Sequence, residues 1–238
     1  NTTDEDLSQV ISPSPNVIDR WILSKASKLI EDCRLALDTY RFDLCANAIY
    51  EFVWHEYCDW YLELSKSILW NDDLSDQHKA ATRRTLLEVL ELLLRISHPV
   101  MPFITDTLWL QVAPKLGISG ASVMVQDYPE SSQLPTDDDA QQQIEWLKSV
   151  ITALRNIRGE ASIKPSLGIS ILLQDGDQQD RAQATNAAEM LKRLANVTSI
   201  EWLEPGNEPP PNALALVGDL RVMVPLAGLI DVDAERTR

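Results

Sequence analysis

"VIDRWILSKASKLIEDCRLAL", residues 17–37, is the stretch on which the fold turns. At about 100° per residue, Ile18, Ile22, Ala26, Leu29, Cys33, Ala36 and Tyr40 share one stripe, the pattern of a helix with one face on a core. Trp21 lies roughly a quarter turn off that stripe, between Lys25 and Lys28, with Ser24 and Arg20 further round. A large flat ring among cations is either a lid on the edge of the core, with the lysines snorkelling over it, or a platform for something anionic and aromatic.

Working outward, "RFDLCANAIYEFVWHEYCDWYLELSKSIL" (41–69) reads as a second helix, with Phe42, Ala46, Ile49, Val53, Trp60 and Leu64 on one face. Trp54, Tyr57 and Tyr61 broaden that face, which would make the helix central to a bundle. "DDLSDQHKAATRRTLLEVLELLLRIS" (72–97) gives a third helix ending before Pro99. "MPFITDTLWLQVAPKLG" (101–117) gives a short fourth that closes at Pro114 or Gly117. Short connections favour antiparallel packing. Pro13 and Pro15 predict an extended lead-in over 1–15, so the bundle occupies 16–117.

The pattern then changes. Gly120, Pro129, Ser131, Ser132, Pro135 and the run Asp137 to Asp139 predict a linker over 118–139. Beyond it come a helix (139–160), a strand in "GISILLQD", a helix in "QDRAQATNAAEMLKRLA" and a strand in "VTSIEWLE". "ALALVG" and "LRVMVPLAGLI" are then joined by Gly218-Asp219, a dipeptide suited to a tight hairpin. The expected fold is therefore mainly α: an antiparallel helical bundle followed by a small α+β module over 140–233.

Composition narrows the function. The 238 residues carry a net charge of −15, which opposes the basic field typical of nucleic-acid binders, so any nucleic-acid contact must be local. Cys33, Cys45 and Cys58 lie inside helical patterns without metal-knuckle or disulfide spacing, which reads as reduced, cytosolic thiols. The longest apolar stretch, residues 85–103, is interrupted by Glu88, Glu91, Arg95 and Pro99, so no membrane span is expected. The start lacks a methionine and a signal-peptide hydrophobic stretch, and reads as a piece of a longer chain.

No Gly-rich phosphate loop and no nucleophile-base grouping can be assembled, so no catalytic residue is proposed. "HEYCD" begins like a zinc-protease helix but has Asp59 where the second histidine belongs, so His55 and Asp59 read as a packed polar pair and no metal is expected. His98 at a helix end reads as facing the last carbonyls. Binding is the better case. Arg20, Trp21, Lys25 and Lys28 could hold an unpaired base by stacking and charge. Arg155, Arg158 and Lys164 concentrate positive charge at a helix C-terminus, where the helix dipole alone could explain them.

Five stretches, in order, strongly resemble the C-terminal part of the valyl-tRNA synthetases: "DRWILSK", "ANAIYEFVWHEYCDWYLELSK", "LLRISHPVMPFITDTLW", "RNIRGEASIKP" and "VPLAGLID". The resemblance covers about residues 16–233. The first three are shared more loosely with isoleucyl and leucyl enzymes, which form one alternative; a non-enzymatic protein-interaction domain is another. The resemblance implies a bundle that binds the anticodon, a small mixed module, and a coiled-coil arm whose start would be residues 234–238. It implies tRNA and the catalytic core of the same polypeptide as partners, in a cytoplasmic monomer that does not engage a membrane. It places Arg20 and Trp21 at the anticodon surface, which favours stacking over the lid, with Lys25 and Lys28 as phosphate or base contacts. Arg155, Arg158 and Lys164 become weaker candidates for tRNA contacts elsewhere. ATP and Mg belong to the catalytic core of such enzymes, whose signature motifs lie upstream, so this chain alone is expected to be catalytically inert.

Overall fold

The computed structural model describes residues 16–204 and 206–226. The expected lead-in over 1–15, the end of the module after 226 and the expected arm start at 234–238 lie outside the described residues. The chain forms two units, residues 1–141 and 142–238.

The first unit is a helical bundle. The Asn16 side chain accepts from the Asp19 N–H at 2.8 Å and so caps α1 (Val17–Asp38). α2 (Phe42–Glu51) runs unbroken through a π-helical stretch, Phe52–Tyr61, into α3 (Leu62–Leu69). Ser75 caps α4 (Asp76–Ser97). Proline opens α5 (Pro102–Val112), and a 3-10 turn, Ala113–Leu116, ends at Gly117 with φ +74°. The contacts make neighbours antiparallel. Early Asp19 meets late Tyr61, and late Cys33 meets early Cys45. Likewise Tyr57 bonds Leu86, and Glu91 bonds Trp109.

The π-helical stretch corrects the expected face of the second helical run. A uniform 3.6-residue period predicts Phe42, Ala46 and Val53 inside, but Phe42 is 60% exposed and Ala46 is exposed. The buried residues are Cys45, Ile49, Phe52, Tyr57, Tyr61 and Leu64. The five-residue step from Phe52 to Tyr57 is the wider turn of the π-helix, which rotates the later residues onto the core and leaves Trp54 outside.

Where α1, the π-helical stretch and α4 converge, the Asp19 carboxyl group is fully buried. It accepts from the Tyr61 hydroxyl at 2.7 Å, the Thr82 hydroxyl at 3.0 Å and the Asn16 amide at 2.6 Å. Burial first, and the adjacent Asp19 second, push the Tyr61 phenol well above its ordinary pKa, so its hydroxyl stays a donor. A second buried carboxyl group, Glu91, accepts from Trp109 Nε1 at 2.7 Å and from Arg95 Nη2 at 2.8 Å, joining α4 to α5.

Residues 118–137, most of the span expected as a linker over 118–139, form a strap bonded first to α5 and then to α1. Val123 joins the cluster of Leu94, Trp109 and Ala113. Arg34 donates to the Pro129 carbonyl at 3.0 Å and its guanidinium stands 5.6 Å from the centre of the Tyr128 ring. Ser27 donates to the Ser131 carbonyl, and Ser24 accepts from the Asp137 N–H at 2.7 Å. Asp106 takes Ser122 Oγ at 2.7 Å and the Val123 N–H at 2.9 Å; these bonds, chiefly that from Ser122, hold its carboxyl group below the usual range. Glycine, proline and serine here build turns that carry side-chain bonds, which composition alone cannot separate from a free spacer.

The second unit opens with α6 (Asp138–Glu160), whose first residues fall before the division at Gln142, and holds a four-stranded sheet in the order β2-β1-β4-β3. β1 (Ile169–Gln174) runs parallel to β2 (Val197–Trp202), with α7 (Gln178–Asn186) and α8 (Ala188–Ala195) in the crossover between them. β3 (Asn212–Val217) and β4 (Leu220–Pro225) form the expected hairpin, with Val217 opposite Leu220 and Gly218 at φ +59°. The single helix expected over 179–195 is two, parted at Ala187 after Thr185 and Asn186, which are poor helix formers. Arg158 is 8% exposed and ties this unit together: Nη1 donates to the carbonyls of Lys164 and Leu167, and Nη2 to those of Ala195 and Asn196.

Asp19→Ala leaves the Tyr61 and Thr82 hydroxyls buried and lowers unfolding stability by about 3 kcal/mol, read by urea denaturation; an unchanged midpoint contradicts the convergence described. Arg158→Lys cannot span four carbonyls with one ammonium group, and amide exchange then accelerates first at residues 163–169 and 194–197; uniform acceleration across the chain contradicts this local role.

Candidate nucleic-acid interface

The residues expected at the anticodon surface all lie on α1. Arg20 and Lys25 are half-buried and Lys28 is exposed, and each meets a carboxylate. Arg20 Nε lies 2.7 Å from Asp137, Lys25 Nζ 3.4 Å from Glu56, and Lys28 Nζ 2.6 Å from Asp32. Asp137 is held below the usual carboxylate range by the Ala140 N–H first and by Arg20 second. The Asp32 bond raises the Lys28 ammonium above its ordinary value, and this pair is the most open of the three.

Trp21 is a correction: its ring is 0% exposed, so it cannot present a face to a base. Residues beside it on α1 are engaged by other segments. One turn on, Lys25 reaches Glu56 of the π-helical stretch, and Ser24 is bonded to the strap through Asp137. Helical periodicity assumes that the far side of a helix faces water, and here a non-helical segment covers it.

The exposed aromatic rings lie elsewhere. Ala46, Tyr50 and Trp54 follow one another at four-residue spacing on the outer face of the second helical run, below Phe42. Tyr50 and Trp54 are 57% and 54% exposed, with parallel rings, 3° between planes, whose centres are 6.4 Å apart. The His55 ring stands edge-on to Tyr50 at 6.2 Å. Tyr40 and Phe42 make a second exposed pair, edge to face at 6.5 Å. The surroundings are acidic: Glu51 and Asp59 flank His55 at 3.7 and 3.4 Å, and Asp43 holds Arg41. Such a row can stack neutral rings while offering phosphate little attraction. Its signal in the sequence is an excess of aromatic residues over what one core stripe can bury.

Arg155, Arg158 and Lys164 are brought together in the second unit, where they line one cavity with Arg193. Arg158 is spent on backbone carbonyls, so its role is structural. His98 does not face the last carbonyls of α4 through its ring; Nδ1 pairs with the Thr105 hydroxyl at 2.9 Å. Burial pushes the Cys33 thiol up to about 12, which keeps it protonated and unreactive. Among the described residues no group of three or more His, Cys, Asp or Glu could hold a metal ion, and no helix is long and apolar enough to cross a membrane.

Residues 19–173 match the family model described as the anticodon-binding domain of tRNA ligase. The chain is 47% identical, over 95% of its length, to the valine-tRNA ligase of Xylella fastidiosa (strain M23), of which it covers 23%. It is 44% identical over 95% of its length to that of Xanthomonas axonopodis pv. citri (strain 306), and 43% over its full length to that of Xanthomonas campestris pv. campestris (strain B100), covering 24% and 25% of them. It therefore spans about a quarter of the length of these relatives. With the bundle, the strap and the start of the sheet module all inside the matched residues, the chain belongs to the family of anticodon-binding domains of tRNA ligases.

Proposed function

We propose that the chain is the anticodon-recognition part of a valine-tRNA ligase and binds tRNA(Val), while the remainder of the polypeptide joins valine to it with ATP and Mg²⁺. The observation that carries this reading is the family match over the bundle together with the open Tyr50–Trp54 pair on that bundle. Unpaired anticodon bases stack on these rings, and stacking survives an acidic surface because the bases themselves are uncharged. Lys28, then Lys25 and Arg20, supply phosphate contacts by exchanging their carboxylate partners.

The catalytic core of the same polypeptide covers a different surface. Val100, Met101, Phe103, Ile104 and Leu108 are exposed along the turn into α5 and on α5 itself, with Phe103 at 88%. This patch is largely aliphatic, without the parallel rings of the aromatic row, and apolar exposure of this kind marks a protein contact. The ligase acts as a cytoplasmic monomer, a setting in which the free thiols of Cys33, Cys45 and Cys58 remain reduced.

The test is binding of the chain to tRNA(Val) transcripts with native or exchanged anticodons. Tyr50→Ala and Trp54→Ala each weaken binding of the native transcript by about 5- to 100-fold. Both also reduce discrimination between anticodons, and wild-type affinity falls as salt rises. Undiminished affinity in both variants removes the aromatic row from the interface. Preference for an isoleucine or leucine anticodon overturns the valine assignment, and salt-independent binding points to a protein-interaction domain.

A further inference from the structure

The cavity in the second unit has a volume of about 740 Å³ and is lined by Arg155, Arg158, Lys164 and Arg193, with Ser162 and Asn196 among the polar remainder. Four of the chain's 21 lysines and arginines thus converge on one concavity of a molecule whose net charge is −15. No aspartate or glutamate is among the described residues lining it. The cations come from three places: α6 supplies Arg155 and Arg158, the loop after it Lys164, and α8 Arg193. Arg158 forms the fixed floor. Its guanidinium is buried and held by four carbonyls, two of them at the end of α8, and among the described residues no carboxylate pairs with it. A buried cation balanced only by carbonyl dipoles leaves a positive potential in the space beside it, which a low-dielectric wall concentrates.

We propose that this cavity seats the phosphodiester backbone of RNA, in a part of the tRNA outside the anticodon loop; this rests on the tRNA reading above. Among the described residues no aromatic or histidine ring lines the cavity, so it has no surface on which to stack a base. What it offers is several separated cations around one rigid one, which suits a run of phosphates. Contacts of this kind position an RNA and raise affinity without reading sequence. Recognition is thereby divided: the acidic bundle stacks bases, and the basic cavity of the second unit holds backbone.

The test uses the charge reversals Arg155→Glu, Lys164→Glu and Arg193→Glu, singly and together, and leaves Arg158 intact because the unit depends on it. The three residues are exposed, and Arg155→Gln, Lys164→Gln and Arg193→Gln serve as milder counterparts if the triple reversal melts early. With full-length tRNA(Val), each reversal is expected to weaken binding about 3- to 10-fold. The triple variant lowers the slope of log affinity against log salt by about 0.9 for every phosphate that it no longer neutralises. Anticodon discrimination stays at the wild-type ratio, and binding of an isolated anticodon stem-loop stays unchanged. A folded triple variant, or glutamine triple, with wild-type affinity and salt slope for the full tRNA overturns the proposal. If Tyr50→Ala and Trp54→Ala still impair binding in that case, the anticodon reading stands without it. Equal losses for the stem-loop would place the cavity at the anticodon, and also overturn it. A wild-type chain that retains no tRNA removes both readings together.

Discussion

A carboxyl group with no access to water fixes the bundle. Asp19 gives up its hydration at the convergence of three helical segments and recovers it from Tyr61, Thr82 and Asn16. Because each donor comes from a different element or from the cap of α1, the network is satisfied in one arrangement only. Apolar packing around it tolerates small slides, but a buried carboxyl group with three partners does not. The residues that follow inherit their places. Arg20 is turned to the strap and Asp137, and Trp21 is turned inward.

This arrangement separates holding the fold together from meeting a ligand. The first turn of α1, which joins an aromatic ring to cations, serves the interior and the strap. The face of the second helical run, rotated by a π-helical stretch, carries the open rings Tyr50 and Trp54. Charge divides in the same way. Carboxylates surround the rings, while the convergence of cations lies in the other unit around Arg158. On the proposed reading, an acidic chain engages a polyanion by using uncharged bases where it is negative and phosphates where it is positive.

Much of the fold is legible in the sequence because its period is regular. The stripe Ile18, Ile22, Ala26, Leu29, Cys33 and Ala36 is buried as its spacing dictates, except that its last member, Tyr40, lies past the helix end at Asp38 with φ +56° and is exposed; the Gly218-Asp219 hairpin stands where the dipeptide places it. Other features are hidden, each for a physical reason. A π-helix changes the residues per turn without a composition of its own, so a uniform period puts Phe42 and Ala46 inside when both are outside. A strap of serines and prolines has the composition of a spacer, and its bonds to Ser24, Ser27 and Arg34 are long-range. Trp21 lies off the apolar stripe yet is fully buried, so periodicity within α1 alone cannot reveal its burial. Asp19 itself gives no local sign of burial, since an acidic residue in the first turn of a helix ordinarily faces solvent and the dipole.

Trp21 is thus a ring of the interior, and the outward ring proposed to meet RNA is Trp54. Fluorine NMR of the 5-fluorotryptophan-labelled chain, with each resonance assigned by single Trp→Phe replacement, measures both at once. The account predicts a solvent isotope shift for Trp54 and none for Trp21, with tRNA(Val) broadening or moving the Trp54 resonance first. A Trp21 resonance that responds to solvent and is the first to respond to tRNA would contradict it.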